Sequence, residues 1–326
     1  MNRIKIALCI IAATLLWACS RDSAPTPPSL EIARLDRVLA DYTSLDSAAR
    51  ADIRRDYAAD LTALFQVEGL GDVTDSMLMA LSQSSVVTAF SAPVDSAFPN
   101  LNAEGEMLGT VLDNARDKGI DIKVKQIAAV TWGSKRSIVV NDTVLFVALN
   151  HYLGANHEAY EGWPEYLRAT KVADKMPYDI TEAMLATSHP YEPVVPSVVS
   201  RLLYEGALTY LKSVLVPDAT DAAAAGFDEE QYADIMNNRA YVWNCLSRDN
   251  GAMLYSTNDA TIEGLFALRP YSTPLSPDAP ARAARVTGLE IVKSYLKNHP
   301  DTPLSRLLTP DFYDNMQTLV EAKYSL

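Results

Sequence analysis

Residues 195–218 read VPSVVSRLLYEGALTYLKSVLVPD, an apolar segment that contains a proline near each end. Pro196 favours the start of a helix and Pro217 ends it, because proline lacks the backbone N–H that a helix interior needs. Glu205 and Gly206 interrupt the apolar pattern, and a glycine inside a helix costs about 1 kcal/mol relative to alanine. A charge followed by a helix-weakening residue therefore indicates close packing or a groove at this point.

A second helix is predicted just upstream, from about Ile180 to Ser188. Asp179 and Glu182 match the pattern of a capping box, in which two side chains each accept a hydrogen bond from the other residue's backbone N–H. Glu182 is then explained as a cap of this helix.

A third helix is predicted within residues 279–300, which read APARAARVTGLEIVKSYLKNHP. Arg282 and Arg285 are three residues apart and so share one face. Two interpretations stay open for the charges and glycines of these helices. In the first, they mark close packing or a groove. In the second, they are structural only: Glu205 lies at the surface or pairs with an arginine, and Gly206 or Gly288 lets helices approach.

The middle of the chain changes to a strand pattern. Residues 120–125 alternate apolar and polar side chains, as in a half-buried strand. Residues 138–140 and 143–148 are apolar runs separated by Asn141 and Asp142, which favours a hairpin. We therefore expect one α+β domain over residues 30–326, predominantly α-helical, with a small central β-sheet.

The chain begins with an export signal. Residues 1–18 contain two cations, an apolar run and a small residue, Ala18, before Cys19. The segment 16–19, LWAC, is similar to the bacterial lipobox, which predicts cleavage before Cys19 and lipid, palmitate included, on its thiol. Residues 19–29 are polar and proline-rich, as in an extended tether. An ordinary secretory signal with an incidental cysteine is the alternative.

Composition excludes several functions. The net charge of −13 disfavours nucleic acid as a partner. The four histidines include no pair four residues apart, the spacing of helical zinc sites, and no Gly-x-Ser-x-Gly or glycine-rich phosphate loop occurs. His157 and Glu161 are the nearest match to a metal pair, but neighbouring glycines and Pro164 favour a loop there. No metal, cofactor or catalytic residue is predicted from the residues.

A succession of segments resembles the gliding motility-associated lipoprotein GldB family. They are the leader, HYLGANHEAYEGWPEYL (151–167), LLYEGALTYLKSVLVPD (202–218), YVWNCLSRDNGAMLYSTN (241–258) and GLEIVKSYLKNHP (288–300). The resemblance implies an anchored protein of the cell envelope, on the periplasmic side or at the outer membrane. It also implies envelope protein partners and a role in gliding motility or a secretion-type surface apparatus.

The family in turn resembles zinc metallopeptidases of the gluzincin type, which implies a zincin-like scaffold. By that resemblance Glu205 matches the third zinc ligand and Glu182 the general base. Thr181 and Leu185 stand where the two zinc-binding histidines would be. A scaffold without peptidase chemistry is therefore expected, with a relic cleft whose candidate residues are Glu182, Glu205, Tyr210, Arg282 and Arg285. The alternatives are an active metal-dependent hydrolase that uses His157, Glu161 or Glu205, and a carbohydrate- or small-ligand-binding lipoprotein.

Overall fold

The computed structural model describes residues 29–67 and 69–326. The predicted signal sequence, Cys19 and the predicted tether up to residue 28 lie outside the described residues. The strands are β1 (Ile32–Arg34), β2 (Gln126–Val130), β3 (Ile138–Asn141) and β4 (Val144–Ala148). The helices are α1 (Leu35–Asp41), α2 (Ser47–Asp56), α3 (Ala58–Phe65), α4 (Asp72–Ser82), α5 (Ser85–Ala97), α6 (Asn102–Asp117), α7 (Glu165–Arg168), α8 (Met176–Ser188), α9 (Val198–Leu215), α10 (Asp221–Ala225), α11 (Glu229–Asn237), α12 (Arg239–Gly251), α13 (Asp259–Phe266), α14 (Ala283–Asn298), α15 (Pro310–Tyr313) and α16 (Met316–Ala322).

The four strands form one mixed sheet in the order β1-β2-β4-β3. β1 and β4 each pair in parallel with β2, and β3 pairs with β4 as the antiparallel hairpin that the sequence predicts. Asp142 in the hairpin turn has a φ of 53°, the left-handed conformation that Asn and Asp tolerate in turns. The prediction of a mainly helical α+β fold is thus confirmed.

Helices cover both faces of this sheet. Alternate residues of β2 and β4 point to opposite faces, as strand geometry requires. Ile127 and Leu145 join a large core with α6, α8, α9 and α14, whereas Ala128 and Phe146 join a smaller core with α1, α3, α4 and α5. The central strands are therefore buried on both faces.

The predicted strand at residues 120–125 is wrong. That segment has no regular structure, and the strand is β2 at Gln126–Val130. β2 carries a nearly continuous apolar run, because a parallel strand buried on both faces has no polar side to alternate with. The alternation of apolar and polar residues, on which the prediction is based, is typical of a strand with one solvent-exposed face.

The capping-box pattern of Asp228 and Gln231 predicts one helix that runs to about Leu246, but the structure has two helices there. The capping box of Asp228 and Gln231 starts α11 as predicted, but α11 ends at Asn237 and α12 begins at Arg239. Asn238, at φ −98° and ψ 8°, separates them.

Helix α9, the proline-bounded segment, lies at the centre of the large core. It packs against α6, α8, α10, α13, α14 and α15, and most of its residues are buried. A helix that is apolar around most of its circumference needs neighbours on all sides. Ser197 and Ser200 cap its first turn in a reciprocal hydrogen-bonded box.

Helices α9 and α14 cross with their backbones in contact. A Cβ atom added to Gly206 would lie 2.3 Å from the carbonyl carbon and oxygen of Gly288, and one added to Gly288 would lie 2.3 Å from the Leu202 carbonyl oxygen. The crossing leaves no space for a side chain at either position, which explains why α9 and α14 each contain a glycine there.

Within the described residues, no single helix has the length and apolar character to cross a membrane. The helices α4 and α5 meet those criteria only as a pair, with a bend of 69° between them.

Candidate functional site

The helix crossing places an arginine between two carboxylates. Arg285, on the first turn of α14, donates to Glu205 Oε2 on α9 at 2.5 Å. The same guanidinium donates to both carboxylate oxygens of Glu182 on α8, at 3.1 Å each. Three helices thus meet at one arginine side chain that is 4% exposed.

Two more cations complete this group. Arg201 Nη2 donates to Glu205 Oε1, and Lys212 Nζ donates to Glu182 Oε2, both at 2.5 Å. The residues Arg201, Glu205, Arg285, Glu182 and Lys212 are called the charged cluster below. Every carboxylate oxygen in it accepts at least one charge-assisted hydrogen bond, the strong kind in a buried setting.

The charged cluster controls the protonation of Glu182. Burial would raise the pKa of its carboxyl, but Arg285, Lys212 and Arg282 together outweigh burial and hold the pKa well below its ordinary value. Burial also lowers the pKa of Arg285, and the two carboxylates more than reverse that effect and raise it. Glu182 is therefore a poor proton acceptor at neutral pH.

A cavity of about 420 Å³ opens beside the charged cluster. Its lining includes five cations, which are Arg136, Lys175, Lys212, Arg282 and Arg285, and two carboxylates, Asp179 and Glu182. This surplus of positive charge occurs in a chain of net charge −13. Below, this space is called the cationic cavity.

Arg282 is the residue directly before the start of α14, and its backbone conformation there is unusual. It precedes the helix with a φ of 64°, a left-handed conformation uncommon for a long side chain. Among the described residues, its guanidinium has no hydrogen-bond or ion-pair partner, and its Nε is buried. The prediction that Arg282 and Arg285 share a helical face is wrong in this respect, because the helix begins one residue later.

Four of the five candidate cleft residues come together here. Glu182, Arg282 and Arg285 line the cationic cavity, and Glu205 lies behind Arg285. Tyr210 is not among the lining residues and packs instead against the large core. The capping-box prediction is wrong: α8 begins at Met176, so Glu182 lies in its second turn with its side chain in the charged cluster.

A second constellation adjoins the cavity through Ser137. Lys171 Nζ donates to Ser137 Oγ at 2.7 Å, and His151 Nδ1 lies 3.2 Å from the same oxygen. Burial, aided by Lys171, lowers the pKa of His151 to about 4, so its imidazole is neutral at pH 7. Burial also lowers the pKa of Lys171. A hydroxyl beside a neutral imidazole is the arrangement of a nucleophile and its base.

Sequence reasoning missed Ser137, His151 and Lys171, and also the buried Lys212. Lys212 had a detectable signal, since it and Glu205 are the two charges inside the mainly apolar segment 202–215. The other three are 14 to 34 residues apart, and no local pattern connects them.

The residues that the gluzincin resemblance aligns do not fit zinc. A guanidinium stands between Glu182 and Glu205, and Thr181 and Leu185 take the two imidazole positions. In the part of the chain that the structure describes, no three or more His, Cys, Asp or Glu side chains are grouped to hold a metal ion. His157 lies at a short turn, where its Nδ1 accepts from the Ala159 N–H.

Comparison with known proteins gives one match. Neither a curated protein nor a solved structure matches the chain. A sequence model of the family described as gliding motility protein GldB matches residues 19–326, which is nearly the whole chain. The chain therefore belongs to the gliding motility protein GldB family.

Proposed function

We propose that this protein is a membrane-anchored lipoprotein of the cell envelope that binds a partner protein or peptide without catalysis, in support of a gliding-motility or secretion-type apparatus. The observation that carries the absence of catalysis is the Arg285 guanidinium between Glu182 and Glu205. These are the carboxylates that the gluzincin resemblance aligns with the general base and the third zinc ligand.

An arginine in that position replaces the catalytic parts of such a site with a structural ion pair. A guanidinium stays protonated in proteins, so it cannot act as a base or bind a metal ion. Glu182, with its lowered pKa, remains ionised and hydrogen-bonded. The scaffold then keeps a cavity while both carboxylates are committed to holding three helices together.

The anchor rests on the leader and on the family match. The match begins at Cys19, the residue that the lipobox pattern predicts as the first of the mature chain. We expect radiolabelled palmitate to enter the wild-type protein in cells and the protein to sediment with membranes. Both should be lost in Cys19→Ala. Unchanged labelling and sedimentation of that variant would contradict the anchor.

Partner binding is tested by cross-linking from the cavity wall in cells. Ala186 lines the cationic cavity, whereas Val73 is 72% exposed on α4 and serves as the control position. We expect p-benzoylphenylalanine at position 186, but not at 73, to give a discrete protein adduct upon irradiation. No adduct from position 186, or the same adducts from both, would count against a partner at this cavity.

Metal content tests the metal-dependent alternative. We expect the purified protein to carry no stoichiometric zinc. Zinc at one equivalent that is lost in Glu205→Gln would overturn the proposal and favour a hydrolase.

A second candidate function is a serine hydrolase centred on Ser137. The specific observation is the position of Ser137 Oγ, 2.7 Å from Lys171 Nζ and 3.2 Å from His151 Nδ1, at the wall of the cationic cavity. In that reaction Oγ would attack the carbonyl carbon of an ester or amide while its proton passed to His151. The bond from that carbon to the leaving group would then break, the leaving group would take the proton from His151, and water would hydrolyse the acyl-serine. A fluorophosphonate probe separates the two functions: labelling of wild type but not of Ser137→Ala supports the hydrolase, and no labelling rejects it.

A further inference from the structure

The cationic cavity carries more positive charge than its own carboxylates can neutralise. Asp179 and Glu182 face five cations around its wall. Glu182 is already hydrogen-bonded to Arg285 and Lys212, and Asp179 accepts from the Tyr152 hydroxyl at 2.9 Å. The remaining positive field has no counter-charge within the cavity.

Two arginines of this wall, Arg136 and Arg282, have no hydrogen-bond or ion-pair partner for their guanidinium among the described residues, and Arg282 differs from the exposed Arg136 in that its Nε is buried. The Arg282 guanidinium has no protein partner among the described residues, whereas both terminal nitrogens of Arg285, three residues along, donate to carboxylates. Its backbone is held in the left-handed region at φ 64°. A strained residue that persists in a structure suggests a functional constraint at that position.

The neighbours of Arg282 are fixed, so the site is preorganised. Arg285 is held by Glu182 and Glu205, and Lys212 by Glu182, so these cations cannot swing out to solvent. A positive wall that contains the unpartnered Arg282 guanidinium fits an anion that accepts two parallel N–H bonds, and a carboxylate has that geometry.

The cavity also has an apolar part. Ile138, Tyr178, Ala183 and Ala186 lie in the same wall as the cations. A volume of about 420 Å³ is within the range of pockets for small ligands. Such a space accepts a short chain segment with an aliphatic stem. The acidic surface of the whole protein repels extended polyanions.

We infer that the cationic cavity binds a carboxylate of a short peptide segment of the partner, with Arg282 as its principal contact. This inference rests on the proposed function, because it names what the bound partner presents. The carboxylate is either an acidic side chain or a chain terminus, which share the same chemistry.

The test is isothermal titration calorimetry with the detergent-solubilised full-length protein. The probes are Ac-Ala-Glu-Glu-Ala-NH₂, which has side-chain carboxylates, Ac-Ala-Ala-Ala-Ala-OH, which has a terminal one, and Ac-Ala-Gln-Gln-Ala-NH₂, which has none. We expect at least one of the carboxylate peptides to bind, and the neutral peptide to bind about tenfold or more weakly. Whichever carboxylate peptide binds identifies the source.

Variants connect the binding to Arg282. Arg282→Gln should weaken the carboxylate peptide about tenfold, the effect of one lost charged hydrogen-bond pair. Arg282→Lys should bind more tightly than Arg282→Gln but more weakly than wild type, because lysine keeps the positive charge but lacks the two parallel N–H donors of a guanidinium. Arg269→Gln, at an arginine that is paired with Glu263 and does not line the cavity, is the control and should bind as wild type. An unchanged melting temperature of Arg282→Gln shows that the fold is intact.

The outcomes separate this inference from the proposed function. Equal binding of all three peptides, no binding of either carboxylate peptide, or wild-type affinity in a folded Arg282→Gln overturns the carboxylate site. If the adduct from position 186 persists in Arg282→Gln cells, partner binding stands while the carboxylate contact falls. If no adduct forms even in wild type, the proposed function itself falls.

Discussion

Replacing Gly206 with alanine should push apart the two helices that carry the charged cluster. The new Cβ would lie 2.3 Å from the carbonyl carbon and oxygen of Gly288, about 1 Å inside the separation at which non-bonded atoms are attracted. Both clashing atoms belong to backbone, so no side-chain rotation relieves the contact. Arg285 and Glu205 flank the crossing and would be drawn apart with it.

The expected cost follows from two opposing effects. Overpacking a dense core costs about 1–3 kcal/mol, and backbone against backbone belongs at the upper end of that range. Alanine is the better helix former by about 1 kcal/mol. We therefore expect Gly206→Ala to lower the free energy of unfolding by about 2 kcal/mol in urea denaturation followed by circular dichroism.

Two further variants test the cause. Gly162→Ala, at a position with no atom within 4 Å of the added Cβ and no positive φ, is the control and should be neutral. Gly288→Ala should be destabilising by itself, since its Cβ meets the Leu202 carbonyl oxygen. In the double variant, the free energy of unfolding should fall by less than the sum of the two single decreases. Once the helices have moved apart for one methyl group, they leave room for the other. Stability equal to wild type in Gly206→Ala would refute the contact between the backbones.

Three other changes have defined outcomes. Arg285→Met should destabilise the fold by about 3–5 kcal/mol in urea, because it removes a partner of the buried Glu205 carboxylate and of the partly buried Glu182 carboxylate; a loss below 1 kcal/mol would contradict a buried ion pair. The His151 imidazole has its pKa lowered to about 4, whereas the unfolded chain protonates near 6.5. The unfolded state therefore binds more protons between these values, and stability should fall by about 3 kcal/mol as the pH drops from 6.5 to 4. In His151→Gln, the free energy of unfolding from urea denaturation should change less between pH 6.5 and pH 4 than in wild type. The same change with pH in both proteins would contradict a buried neutral His151. Ser197→Ala removes the cap of α9 and should cost about 1 kcal/mol in the same assay; no measurable loss would show that the cap is dispensable.

The features that the sequence determined by itself are helix ends and a turn, which depend on hydrogen bonds between residues close in the chain. The prolines around α9, the Asp228 capping box and the hairpin at Asn141 and Asp142 act through backbone groups a few residues away. Residues 102–118 form an amphipathic run, and a glycine directly after such a run favours a helix end; Gly119 follows α6 with a φ of 68°. These features gave the helical class, the sheet hairpin and most element positions.

The tertiary structure decided what each charge does. The spacing of Asp179 and Glu182 in the sequence fits a capping box, yet Glu182 accepts hydrogen bonds from Arg285, which is 103 residues away. The pairing of Ser137 with Lys171 across 34 residues likewise follows from how β3 and the segment before α8 meet. An ion pair between helices depends on where their axes cross, and here that crossing is set by Gly206 against Gly288. Sequence spacing determines backbone hydrogen bonds, whereas contacts between distant side chains exist only once the helices have packed.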